Sequence, residues 1–130
     1  LKPILRAWLK TGRFLRQARK MGFKAGVAIN PDIPVEKVFK YIGKADFILV
    51  MSVFAGFGGQ KFIFETIDRV AKLKAEIIRR GADTLIEVDG GVNPGNIKAI
   101  AEAGADIVVG GSAVLGAEDP SAVIRALQEA

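Results

Sequence analysis

The chain has 130 residues, one domain's worth at the usual ~100–200 residues each, and its half-hydrophobic, quarter-charged composition is that of a globular protein. It contains no Cys and no His, which removes disulfides, thiolate metal sites, cysteine nucleophiles and imidazole bases, and leaves carboxylates, Lys/Arg, hydroxyls and backbone to do any chemistry. The net charge is +5, no apolar run approaches the ~18–20 residues of a membrane span, and no signal peptide opens the chain, so a cytoplasmic protein without a membrane partner is expected.

Residues 1–22 read as a basic amphipathic helical segment. Leu1, Ile4, Leu5, Trp8, Leu15, Ala18 and Met21 recur at three- and four-residue spacing with Arg and Lys between them, and Gly12 leaves two short helices as open as one long one. The first 24 residues hold eight cations and no acid, whereas the other 106 hold 11 cations and 14 anions. Such a lead is either a solvated face or a surface for acidic partners, membranes or nucleic acid.

From residue 23 to 130 strands and helices alternate. Lys24–Ile29 reads as a strand closed by Asn30-Pro31, and Val35–Ile42 as a helix between Pro34 and Gly43. Asp46–Val53 is an unbroken apolar run, the pattern of a strand buried on both faces. After a loop at 56–59, Phe64–Arg80 is a long helix stopped by Gly81. Thr84–Val88 is a strand with a turn at Asp89-Gly90-Gly91, Asn96–Ala103 a helix, Asp106–Val109 a strand, and Pro120–Ala130 the last helix. Four strand–helix units argue a parallel α/β sheet, either open and covered on two sides or half of an eight-stranded barrel.

The glycine-rich turns Gly56-Phe57-Gly58-Gly59, Gly90-Gly91 and Gly110-Gly111-Ser112 all follow strand C-termini. Glycine lets backbone approach an anion closely, and helix starts offer unpaired N–H groups, so three such turns at one end of a sheet point to phosphate. Asp89 is the carboxylate placed like a catalyst; its plainer reading is a turn residue. Glu87, two residues earlier, points to the same face if the strand is regular.

These motifs carry a resemblance. Residues from about Lys20 to Ala130 resemble the C-terminal half of ribulose-phosphate 3-epimerase, a TIM barrel, through Lys24–Pro31, Met51-Ser52-Val53 with Gly56–Gln60, Glu87–Val92 and Gly110–Val114. The resemblance implies barrel strands five to eight, with residues 1–22 standing where the helix before strand five lies. It implies that Asp89 is an acid/base catalyst that also touches a catalytic metal. By the same likeness Gly58, Gly59, Gly90, Gly91, Gly110, Gly111 and Ser112 lie in or near a phosphate cradle, and Met51 lines the active site. The family's chemistry moves a proton at C3 of a ketopentose 5-phosphate, between two aspartates on opposite faces, through an enediolate that a divalent metal stabilises.

The departures point elsewhere. The family's other aspartate and its two metal-binding histidines belong to an N-terminal half barrel, and no His is present here, so no metal or other cofactor is expected and Asp89 is read as vestigial. Phe54 and Ala55 stand where the family has Asn-Pro, and Phe64 where it has Pro. Phe54, Phe57, Phe62 and Phe64, with Trp8 or Phe14, then form an aromatic patch of the kind interfaces use. The reading is a half TIM barrel of four (βα) units preceded by a helical segment, non-catalytic and engineered, that forms a homodimer or binds a designed protein partner through that patch. A phosphate or sulfate ion is a further possible ligand, nucleic acid is not the expected partner, and epimerase or phosphate-sugar binding activity is the alternative. In a monomer, residues 1–22 would fold as a lid over the open sheet face.

Overall fold

The computed structural model describes residues 2–56 and 59–129, with residues 2–9 described by their backbone alone. Strands β1 (Gly26–Ile29), β2 (Phe47–Met51), β3 (Leu85–Asp89) and β4 (Ile107–Val109) pair in parallel in the order of the sequence. Parallel crossovers are right-handed, so connections that always step in one direction deliver every helix to the same face. This monotonic order decides between the two architectures: it is that of half an eight-stranded barrel, not of a sheet wound on both sides.

The helices are α1 (Lys2–Lys20), α2 (Glu65–Arg79), α3 (Ile97–Glu102), α4 (Ser112–Leu115) and α5 (Pro120–Gln128), and none among the described residues is long and apolar enough to cross a membrane. Alternation along the strands sends Ile48, Val50, Ile86 and Val88 toward the helices, where all four are fully buried. They meet Val70, Leu73 and Ile77 of α2, spaced three and four apart, and Ile97 and Ile100 of α3. On the opposite face Leu85, Ile107 and Val109 remain 44%, 39% and 37% exposed.

Three details differ from expectation, and two settle alternatives that the sequence leaves open. The first crossover is a 3-10 helix, Val35–Tyr41, and its buried residues Val35, Val38 and Tyr41 explain why: three residues per turn aligns exactly that spacing on one face. Helix α1 runs unbroken through Gly12. Asp89 closes β3 as its last strand residue, and α4 adds a helical turn not foreseen after Gly111. Leu15 of α1 joins the helix-side core, so α1 stands with the other helices, and its described residues form no lid over the open face. Beyond Ile100 no described residue is buried.

Two aspartates splice the strands by one device. Asp46 accepts a hydrogen bond from the Ala25 N–H at 2.8 Å, and Asp106 accepts one from the Ile86 N–H at 2.8 Å, each at the entrance to its own strand. The Ala25 N–H, with Arg19 and Lys24 beside it, holds the Asp46 carboxyl below its usual range. On α2, hydrogen bonds from Arg79 and Arg80 lower Glu76 from 4.5 to about 2. The unfolded chain protonates Glu76 first, so the stability from this carboxylate is full above pH about 4.5 and is lost toward pH 2. Glu76→Gln is expected to flatten the urea midpoint against pH in that window and to leave it unchanged in shape above pH 6.

Candidate functional site

All four strands point their C-terminal ends the same way, and the loops leaving β2, β3 and β4 enclose a cavity of about 520 Å³. Met51, Asp89 and Val109 lie side by side in the register and form its floor. Phe54, Gly59 and Gln60 wall one side; Gly90, Gly91, Gly111 and Ser112 wall the other. A smaller hollow of about 230 Å³ adjoins it between Gly59, Gly91, Asn93 and Ser112. Glu87 sits on the same sheet face as Asp89 but one layer lower, in a separate hollow at the N-terminal end of the strands.

Glycine is required at two of these positions. Gly90 and Gly91 adopt φ of 116° and 65°, where side chains are strained. A Cβ at Gly90 would strike the Val53 side chain, and one at Gly91 would come within 2.8 Å of the Phe62 backbone nitrogen. The turn is thus packed against the β2 loop with no room for a side chain. Gly110 lies outside the cavity lining, and a Cβ there would meet Leu127 at 3.2 Å, so its smallness serves the seating of α5.

Four polar residues that hold this rim escaped the sequence reading as site residues. Ser52 is fully buried; its hydroxyl lies 2.8 Å from the Asp89 carbonyl and 2.5 Å from that of Gly90, while its N–H donates to Asp89 at 2.9 Å. Asn93 and Asn96 both donate to the Gly91 carbonyl at 3.0 Å, drawing it toward α3. Arg69 of α2 donates to the carbonyls of Met51, Asn30 and Ile33 at 3.2, 2.9 and 3.0 Å, tying the ends of β1 and β2 together. Burial draws its guanidinium below its ordinary value, against the pull of Asp32 and Glu36. A lone Ser in an apolar strand and two Asn at turn spacing were visible signals; nothing near Arg69 marks it.

The aromatic positions do not all come together. Phe62 packs against the core and meets exposed Phe64 edge to face, with centroids 5.4 Å apart. Phe54 is exposed on the cavity rim, its carbonyl accepting from Gln60 at 2.6 Å, and Phe14 is exposed on α1. Among the described residues no ring contact links Phe14 or Phe54 to the Phe62–Phe64 pair. Phe57, Gly58 and the Trp8 side chain lie outside the described residues.

The described residues contain no group of three or more His, Cys, Asp or Glu that could hold a metal ion, so Asp89 and its neighbours do not by themselves fit one. What the rim offers is one carboxylate beside backbone turned inward at glycine.

Comparison with known proteins agrees with this geometry. Residues 6–115 match the model of the ribulose-phosphate 3 epimerase family. The chain is 44% identical over 112 residues to ribulose-phosphate 3-epimerase of Escherichia coli K12, covering 86% of this chain and 50% of that protein. It is 42% identical over 113 residues to the Mycobacterium tuberculosis H37Rv enzyme, and 40% identical over 116 residues to the chloroplastic ribulose-5-phosphate-3-epimerase of Arabidopsis thaliana. These alignments cover 87% and 89% of this chain, and 49% and 41% of those proteins. The chain thus spans about half the length, or less, of the curated relatives it matches. In fold it is similar to a 3-hexulose-6-phosphate synthase, with TM-score 0.68 at 19% identity over 94% of this chain and 56% of that one. With the family's model running through all four strands and the loops that enclose the cavity, the chain belongs to the ribulose-phosphate 3-epimerase family.

Proposed function

We propose that this chain forms the phosphate-binding half of a ketopentose 5-phosphate 3-epimerase site and supplies one of its proton-transferring carboxylates, Asp89. The carrying observation is that Asp89 and the glycine turns at Gly59, Gly90-Gly91 and Gly111-Ser112 border one 520 Å³ cavity. Among the described residues no Lys or Arg lines that cavity, so a bound phosphate would be held by backbone N–H groups at the glycine turns. Membership of the family supports this reading ahead of the non-catalytic, engineered half barrel expected from the sequence.

The chemistry follows from position. A carboxylate beside the sugar takes the proton from C3; the C–H electron pair becomes the C2–C3 double bond and the carbonyl oxygen gains the charge. Returning the proton from Asp89 regenerates the same sugar. Inversion needs a second donor on the opposite face, and this cavity holds none from the same chain among its described residues. Because the donor set does not fit a metal, no step is assigned to one.

Ribulose 5-phosphate, and more weakly inorganic phosphate, is therefore expected to raise the thermal midpoint. Asp89→Asn should keep that shift and lose C3 hydrogen exchange with D2O, read by proton NMR. No midpoint shift with either ligand at 10 mM would remove the cradle from the proposal. The second reading, association through the aromatic patch, rests on the exposure of Phe54 and Phe64.

A further inference from the structure

Helix α2 carries an apolar line on the face it turns away from the sheet. At 3.6 residues per turn, Phe64, whose backbone is already helical, and Ile67, Ala71, Ala75 and Ile78 fall opposite the buried Val70, Leu73 and Ile77. Phe64 and Ile78 are 67% and 68% exposed at the two ends, and Ala71 and Ala75 are exposed between them. A solvated helix places its charges along that outermost line. Here Glu65, Asp68, Lys72 and Arg79 run along one border of it instead. Both flanks of α2 are already covered, since it lies between the first crossover and α3 and packs against each.

Two features select a second copy as the occupant. The first is shape. The line repeats near 3.5 residues, the spacing of a seam between two helices, and alanines at its middle let their axes approach closely. Phe64 and Ile78 stand seven residues to either side of Ala71. A twofold axis at Ala71, perpendicular to α2, therefore sets two such helices antiparallel, with Phe64 of each copy against Ile78 of the other. The second is charge. The acids of the border stand in the first turn and Arg79 in the last. Antiparallel pairing lays the border on its own reverse, so Glu65 meets Arg79 at both ends and Asp68 meets Lys72 nearer the axis. The two Lys72 ammonium groups also approach each other there and offset part of that gain. A parallel pair would set Phe64 on Phe64 and hold Glu65 about 21 Å from Arg79.

We infer that a second copy of this chain docks antiparallel on the outer face of α2, through Phe64, Ile67, Ala71, Ala75 and Ile78. The pairing rests on α2 alone and is independent of the chemistry at the cavity. One helix face supplies about half of the ~800 Å² per partner of a standard interface, so the association is weak.

Sedimentation equilibrium from about 10 µM to 1 mM tests it, with a Kd of about 100 µM expected. Ala71→Arg, at an exposed position that a helix tolerates, should weaken association more than about 10-fold with helical circular dichroism unchanged. Phe54→Asn should leave it within about twofold. Orientation is read by exchanging charge. Glu65→Arg and Arg79→Glu should each weaken association about fivefold alone, and an equimolar mixture of the two should return to within about twofold of the original, because each copy then supplies the charge the other lacks. The chain has no Cys, so Ala71→Cys sets a single thiol at the axis. Oxidised glutathione should link that variant into a covalent dimer and should not link Lys98→Cys, which is exposed on α3. A chain that is monomeric at 1 mM overturns the inference, as does association that Ala71→Arg leaves intact. A mixture no tighter than its two components, or equal linking at positions 71 and 98, overturns the antiparallel arrangement.

Discussion

Gly91→Ala is expected to cost about 2–4 kcal/mol of stability and to abolish phosphate binding together. The backbone at this position has φ of 65°, which a side chain adopts only under strain, and the added methyl would press on the Phe62 backbone nitrogen at 2.8 Å. A flexible side chain could swing aside; a main chain tied by the Ile63 N–H to the Ser52 carbonyl at 2.9 Å cannot. Gly111→Ala is the matched control. Its φ is −77° and nothing lies within 4 Å of the position its Cβ would take, so the change should stay within about 0.5 kcal/mol. Urea denaturation of the two variants, with phosphate titrations on each, separates a turn that must be glycine from one that merely is.

Arg69→Met should be comparably damaging, for a reason that lies in three carbonyls. The guanidinium satisfies Asn30, Ile33 and Met51 from one planar fork, at the point where the loops after β1 and β2 meet α2. Methionine keeps the apolar stem and removes the guanidinium from all three carbonyls, leaving that of Asn30 only its bond from the Ile33 N–H, at about 2–4 kcal/mol. Arg69→Lys should recover less than half, because a single ammonium cannot reach three acceptors in fixed directions. Denaturation midpoints of the three proteins check the order Arg, then Lys, then Met. Proton NMR of the Ala55 amide, which donates to the Asn30 side chain at 3.4 Å, reports whether the rim loosens as well.

What the sequence discloses depends on whether a signal is local. The apolar run around Ile48 and Val50, the spacing of Val70, Leu73 and Ile77, and the glycine pair after Asp89 are each local signals that place their element correctly, although the run expected to be buried on both faces is fully buried only on the helix side, with Phe47, Leu49 and Met51 half-buried. The 3-10 crossover is equally local, but its i, i+3, i+6 spacing passes for an α-helix until the seventh residue. Ser52 and Arg69 act across 37 and 18 residues respectively, on carbonyls that any residue carries, and no spacing announces such a bond. The side of the sheet that α1 occupies is likewise a tertiary choice. Leu15 fits an amphipathic stripe that would serve as a lid or as an outer helix, and only its neighbours in the core distinguish them.

Because the sheet adds its strands in the order they are synthesised, each unit needs only the unit before it to find its place. Each pairing nonetheless joins residues 20 to 38 apart, as in Gly26 with Phe47, Phe47 with Leu85 and Glu87 with Ile107, so every crossover must close its loop before its strand is held. The buried residues stop at Ile100, which makes β2, β3 and α2 the cooperative centre and β4 with α4 and α5 the part that opens first. A strand laid against the free edge of β4 would therefore do more than hide apolar surface: it would raise the least protected third of the molecule toward the stability of the rest.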